Sequence, residues 1–327
     1  MTKVQELADK IISGDRRVLS RAITLVESSR EDHRQEALEL AALLTASGRR
    51  ATRIGLSGTP GVGKSTFIES FGSYLTEQDL RVAVLAVDPS SVRTGGSILG
   101  DKTRMDRLSR DPNAFIRPSP SRSYLGGVAR YTRDAVTICE AAGFDVVLIE
   151  TVGVGQSETI AAQISDLFVL LLAPAGGDEL QGVKRGIIEL ADLILVNKAD
   201  RDLRHAAMRT CADFAGALRL LRKRPQDCNG FPRVIPVSAV EETGLSETWK
   251  AMNELLSWRK EEGYFEKNRV MQARFWFEED VKQGLLARLN NNDVRKMMSA
   301  FAIDVEEGKL LPNQAAREVI SRIQDKK

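Results

Sequence analysis

The sequence predicts an α/β fold: a doubly wound, mostly parallel sheet of the P-loop type, with helical extensions at both ends. Three observations predict it. Short apolar runs recur from Thr52 onward, helical segments separate most of them, and a glycine-rich phosphate-binding pattern lies between the first run and the helix after it. The runs are Ile54–Ser57, Val82–Val87, Ala114–Arg117, Val146–Glu150, Phe168–Ala173, Leu193–Asn197 and Val234–Val237. Most are continuous, as expected for strands buried on both faces of a parallel sheet. Right-handed crossovers through helices such as Thr66–Leu75 and Leu203–Leu221 then cover both faces. The loops leaving the strand carboxyl ends form the active edge.

Residues 1–50 read as a helical extension. Leu7, Ile11 and Ile12 share one face, as do Leu19, Ile23 and Val26, and Glu36–Thr45 is a further helix closed by Ser47-Gly48. Residues 51–262 form the P-loop domain, ending in the helix Leu245–Glu262. Residues 263–327 continue as several helices rich in Phe265, Phe275, Trp276, Phe277, Leu285, Leu286 and Leu289. That much apolar surface needs cover, and a second copy of the chain is the simplest supplier, so this tail is expected to be a dimerisation arm.

Composition excludes several classes. The chain has 327 residues, 43% of them hydrophobic, with 47 Lys plus Arg against 45 Asp plus Glu and a net charge of +2. Such a balance gives no sign of a nucleic-acid or membrane partner. Cys139, Cys211 and Cys228 are scattered, which fits neither a disulfide framework nor a zinc site. No stretch reaches the roughly 18–20 apolar residues of a transmembrane helix, and Met1–Asp15 lacks a signal-peptide core. A cytoplasmic location is expected.

The strongest motif is Gly58-Thr59-Pro60-Gly61-Val62-Gly63-Lys64-Ser65-Thr66, which matches G-x-x-x-x-G-K-[ST] between a strand and a helix. Its glycines let backbone N–H groups turn toward phosphates, and the helix adds its positive end. Lys64 reaches the β and γ phosphates, and the Ser65 hydroxyl ligates Mg²⁺. Asn197-Lys198-Ala199-Asp200 follows another buried strand and matches the N-K-x-D guanine motif. A carboxylate at Asp200 accepts from N1–H and the 2-amino group of guanine, whereas adenine would leave it unpaired. Lys198 lies along the base, and Ser238-Ala239 completes the pocket through backbone N–H groups.

Other candidates surround the phosphates. Asp88 ends the second strand, where a carboxylate suits a metal shell or, equally, a turn cap. Glu150-Thr151-Val152-Gly153 ends the fourth strand in the place where most GTPases have D-x-x-G; Glu150 is one methylene longer than Asp and still reaches Mg²⁺, directly or through water. Gly153 leaves its N–H to meet the γ-phosphate. Val154 follows where a water-orienting Gln is common, and Gln156 is a weak substitute, so turnover by the isolated chain is expected to be slow. The glycine-rich 93–104 segment reads as a first switch, from which Asp101 could join the metal. The loop 176–184 has a double glycine and carries Asp178, Gln181 and Lys184, candidates for coupling to a partner.

The segments 88–105, 115–129, 150–158 and 177–182 resemble those of the methylmalonyl-CoA mutase-associated GTPases, within the SIMIBI class, a family also described as arginine/ornithine transport ATPases. The resemblance is strong over about 50–240. It implies Lys64, Ser65, Asp88, Asp101 and Glu150 around Mg²⁺ and phosphate, Asn197, Lys198 and Asp200 on the base, and 176–184 as a third switch. It further implies a GTP-hydrolysing G-protein chaperone that gates adenosylcobalamin loading onto an acyl-CoA mutase and protects that enzyme, with the adenosyltransferase as a further contact. The chain has no D-x-H-x-x-G cobalamin pattern, so it is not expected to bind cobalamin itself. Two other readings compete. A nickel-inserting GTPase is opposed by having only His33 and His205, and a transport-linked kinase or ATPase is opposed by Asp200.

Overall fold

The computed structural model describes residues 2–28, 30–87, 105–118, 125–151, 157–174, 185–289 and 291–325. The chain divides into two compact units, Met1–Arg269 and Val270–Lys327.

The first unit begins with α1 (Lys3–Ile12), α2 (Arg16–Val26) and α3 (Glu31–Thr45). The α1 face is not quite the expected one: Val4, Ala8 and Ile11 are buried, while Leu7 and Ile12 are half-buried. On α2 the expected Leu19, Ile23 and Val26 are all buried. Thr2 and Asp15 cap α1 and α2 by accepting from first-turn N–H groups. Arginines fasten these helices to the domain. Arg16 Nη1 donates to the Pro112 carbonyl at 3.1 Å, and Arg49 Nη1 donates to the carbonyls of Ile12 at 2.8 Å and Ala141 at 3.0 Å.

The α/β part then runs β1 (Thr52–Gly58), α4 (Lys64–Thr76), β2 (Val82–Val87), α5 (Asp106–Arg110), β3 (Ala114–Arg117), α6 (Leu125–Ala141), β4 (Val146–Thr151), α7 (Ser157–Ile164), β5 (Leu167–Leu172), α8 (Arg185–Leu190), β6 (Leu193–Val196), α9 (Arg204–Arg219), β7 (Arg233–Pro236) and α10 (Leu245–Glu261). Among the described residues, seven strands form one sheet in the order β3-β2-β4-β1-β5-β6-β7, and every neighbouring pair is parallel. Every residue of β4, β5 and β6 is buried, which is why their sequences read as unbroken apolar runs. One hydrophobic core joins β1, β5 and β6 to α4 and α10 through Ile54, Phe67, Phe71, Val169, Leu195, Met252 and Leu255. Burial pushes the Cys139 thiol far up and that of Cys211 up to about 11, so both are neutral packing groups near neutral pH.

α11 (Tyr264–Arg288) starts in the first unit and continues into the second, which also holds α12 (Asn292–Glu306) and α13 (Pro312–Asp325). The second unit exposes large apolar side chains, including Met271, Phe277, Leu285, Ile303 and Leu311. No described helix is long and apolar enough to cross a membrane.

Candidate nucleotide site

The turn after β1 carries the motif, and its shape depends on glycine at two places. A Cβ on Gly58 would lie 2.4 Å from the Leu171 carbonyl of the neighbouring strand. Gly63 precedes α4 at φ +87°, and a Cβ there would lie 2.8 Å from the Asn197 amide. Val62 is buried and plugs the turn into the core, while Thr59, Pro60 and Gly61 stay exposed. No side chain caps the start of α4, so its first-turn N–H groups keep the polarity that favours an anion. Lys64 is 9% exposed, and its Nζ donates to the Gly58 carbonyl at 2.7 Å, folded over the turn. Thr66, one residue past Ser65, is exposed on the helix.

The end of β4 meets the start of α4. Ser65 Oγ donates to Glu150 Oε1 at 3.3 Å, and Glu150 is 9% exposed. A hydroxyl and a carboxylate oxygen at this spacing suit a small hard cation, which takes its other oxygens from phosphates and water. Among the described residues no group of three or more His, Cys, Asp or Glu could hold a metal unaided.

The segment after β6 comes back to the same turn. Asn197 is 2% exposed; its Nδ2 donates to the Val62 carbonyl at 2.9 Å, and its Oδ1 accepts from the Ala239 N–H at 3.1 Å. Lys198, at φ +59°, sends Nζ to the Gly61 carbonyl at 2.8 Å. Asp200 accepts from the Ser238 hydroxyl, which also accepts from the Glu241 N–H at 3.1 Å. The Ser238 N–H donates to the Thr243 carbonyl at 3.0 Å, closing a turn after β7. One asparagine thus bridges the phosphate turn and the base turn.

The structure brings together Lys64, Ser65, Glu150, Asn197, Lys198, Asp200, Ser238 and Ala239. Asp88, Asp101, Gly153, Gln156, Asp178, Gln181 and Lys184 lie outside the described residues. The sequence reading passed over Glu69 and Ser70 of α4, which point their polar atoms at Arg107 and Ala239. The available signal was a polar pair inside the apolar run Phe67–Phe71.

A family model described as Methylmalonyl Co-A mutase-associated GTPase MeaB matches residues 19–294. A protein of Mycobacterium tuberculosis named Probable GTPase is 48% identical over 318 residues, covering 97% of this chain and 94% of the relative. The mouse Methylmalonic aciduria type A homolog, mitochondrial, is 46% identical, covering 96% of this chain and 78% of the relative. The GTPase ArgK of Escherichia coli is 40% identical, covering 96% and 95%. Among solved structures, that of a LAO/AO transport system kinase superposes with a TM-score of 0.76 at 33% identity, covering 99% of both chains.

Proposed function

The chain belongs to the methylmalonyl Co-A mutase-associated GTPase family, and from that premise we propose that it hydrolyses GTP with Mg²⁺ to regulate an adenosylcobalamin-dependent acyl-CoA mutase. The observation that carries the nucleotide part is the Asn197 bridge. It holds the phosphate turn and the base turn at a fixed spacing, with Asp200 beside Ser238 at one end and Lys64 with Ser65 at the other. A guanosine nucleotide fits that polarity. Asp200 meets the N1–H and 2-amino edge, and the Ala239 backbone lies close by. Lys64 exchanges its carbonyl partners for phosphate oxygens, an exchange of neutral for charged acceptors. Ser65 and Glu150 are the residues to hold Mg²⁺, which when bound neutralises charge developing on the phosphates. Gly153 and the metal candidates Asp88 and Asp101 belong to the same proposal.

The client reading is supported by the family description and by the names of relatives. We assign the client as an acyl-CoA mutase of the methylmalonyl-CoA type, with the adenosyltransferase as a further contact and cobalamin held by those enzymes. Residues 156 and 176–184 are the proposed relay. The exposed apolar side chains of Val270–Lys327 support a homodimer, which sedimentation at micromolar concentration tests. Nothing in composition calls for nucleic acid or membrane, and a cytoplasmic location is proposed.

A second reading, a transport-linked kinase, draws on the name of the structural relative at 33% identity. The two differ in base and in acceptor. Calorimetry is expected to show GTP and GDP binding at least tenfold tighter than ATP and ADP, and Asp200→Asn to shift preference toward xanthosine nucleotides. Equal binding of ATP and GTP refutes the guanine reading. Phosphate release from GTP is expected to be slow alone and to rise on titration with mutase, by less than the ~10³–10⁵ that partners confer elsewhere. A flat titration refutes the chaperone reading.

A further inference from the structure

The first turn of α4 belongs to the phosphate site, and its second turn carries two buried polar residues, Glu69 and Ser70. Buried polar atoms destabilise a fold unless they are paired, so their partners show what they hold. Ser70 Oγ donates to the Ala239 carbonyl at 2.6 Å. Glu69 Oε1 accepts from the N–H groups of Arg107 at 2.7 Å and Leu108 at 3.3 Å, while its Oε2 is buried with no hydrogen bond. Arg107 in turn places Nη2 2.5 Å from Glu242 Oε1. Hydrogen bonding to that carboxylate raises the Arg107 pKa, so the guanidinium stays charged.

Ala239 and Glu242 belong to one turn, closed by the Ser238 and Thr243 backbones. It is therefore gripped at both ends by α4, directly through Ser70 and through Arg107 from Glu69. The Ala239 N–H meanwhile binds Asn197, whose amide binds Val62 at the start of the same helix. The hydrogen bonds form a closed circuit: Val62, Asn197, Ala239, Ser70, and back along α4. Within it the base turn cannot shift against the phosphate turn without breaking a buried bond.

We propose that this brace sets guanine-nucleotide affinity and selectivity, with Ser70 and Arg107 as positioning residues that touch no nucleotide themselves. The proposal rests on the guanine reading above. It requires that losing the brace weaken the base contacts and spare the phosphate contacts. A preorganised turn binds without the cost of ordering it, and a loosened one does not.

The test compares full-length wild type, Ser70→Ala and Arg107→Ala by calorimetry with GDP, ADP and inorganic pyrophosphate. Ser70→Ala leaves a buried carbonyl unpaired, so GDP affinity is expected to fall about 5–20-fold. Arg107→Ala breaks an exposed pair, and about 2–4-fold is expected. Pyrophosphate binding is expected to stay within about twofold in both, because a loosened base turn leaves the phosphate groups in place. Glu242→Ala is expected to lower GDP affinity by the same factor of about 2–4 as Arg107→Ala, and the double variant by no more than either alone, because both remove one contact. A general loss of structure would weaken pyrophosphate and GDP together, and the two substitutions would then add. GDP affinity unchanged in both variants, or falling in step with pyrophosphate, overturns the brace. Wild type that binds ADP as well as GDP overturns the guanine reading beneath it, so the two failures differ.

Discussion

The two edges of the sheet use charge in opposite ways. At the amino edge, Asp166 and Asp192 immediately precede β5 and β6, and Arg53 lies one residue inside β1. Arg259 Nη2 reaches Asp192 Oδ1 at 2.6 Å, and Arg224 reaches the same oxygen at 2.7 Å. Arg269 pairs with Asp166 at 2.7 Å and with Glu140 at 3.2 Å, while Arg53 pairs with Glu140 at 2.7 Å. Backbone groups join in, since Phe168 N–H donates to Asp192 Oδ2 at 2.8 Å and Arg53 N–H to Asp166 Oδ2 at 2.9 Å. At the carboxyl edge the ammonium groups of Lys64 and Lys198 reach over the turn after β1 to the backbone carbonyls of Gly58 and Gly61. Neutral acceptors are weaker partners than carboxylates, and phosphate displaces them at little loss. The contrast sets carboxylate-paired arginines that tie strand ends together against lysines folded over a glycine-rich turn.

The contrast breaks most visibly at Asp192. Asp192→Ala takes from Arg259 and Arg224 one of two shared carboxylates, leaving them Asp227 at 3.4 and 2.8 Å, and leaves the Phe168 N–H without its acceptor. A buried charge left alone costs about 3–5 kcal/mol; with Asp227 still pairing both guanidiniums, urea unfolding is expected to show a smaller loss, about 2–3 kcal/mol, from the weakened network and the unpaired N–H. GDP affinity of the remaining folded protein is expected to be unchanged, because the strands keep their carboxyl ends in register. A variant of wild-type stability would mean the amino-edge network contributes nothing net.

Lys64→Ala reverses the pattern. Hydrolysis is expected to fall by about 10²–10³-fold, the usual effect of deleting one preorganised electrostatic group. Single-turnover GTP cleavage measures it, and a rate within tenfold of wild type would take Lys64 out of the catalytic site.

How far the sequence disclosed this depends on the range of each interaction. The sheet was legible because β4, β5 and β6 are buried throughout, and burial on both faces writes a continuous apolar run. The phosphate turn was legible because nine consecutive residues carry it, and Asn197 to Asp200 because four do. The α1 face was misread by choosing the bulkiest residues; Val4 and Ala8 are buried where Leu7 is only half-buried. The amino-edge network was invisible, since Arg259 and Asp192 are 67 residues apart and neither sits in a pattern. The brace joins Ser70 to Ala239 across 169 residues and Arg107 to Glu242 across 135. Only topology brings such pairs together.

The smallest expected effect sharpens the comparison from within the amino side. Arg50 and Glu266 form a 2.6 Å ion pair as short as that of Arg259 with Asp192, but their side chains are 55% and 62% exposed. Distance alone would rank the two pairs equal. Water changes the ranking in two ways: it screens the Coulomb attraction of the exposed pair, and it solvates whichever partner remains after the other is removed. A buried carboxylate or guanidinium has no such recourse. Arg50→Ala is therefore expected to cost no more than about 0.5–1 kcal/mol in urea unfolding, and the cost is expected to shrink further in high salt. The buried Asp192 effect is expected to persist in the same salt. Should Arg50→Ala prove as damaging as Asp192→Ala, burial would not be what separates architectural charge from the rest.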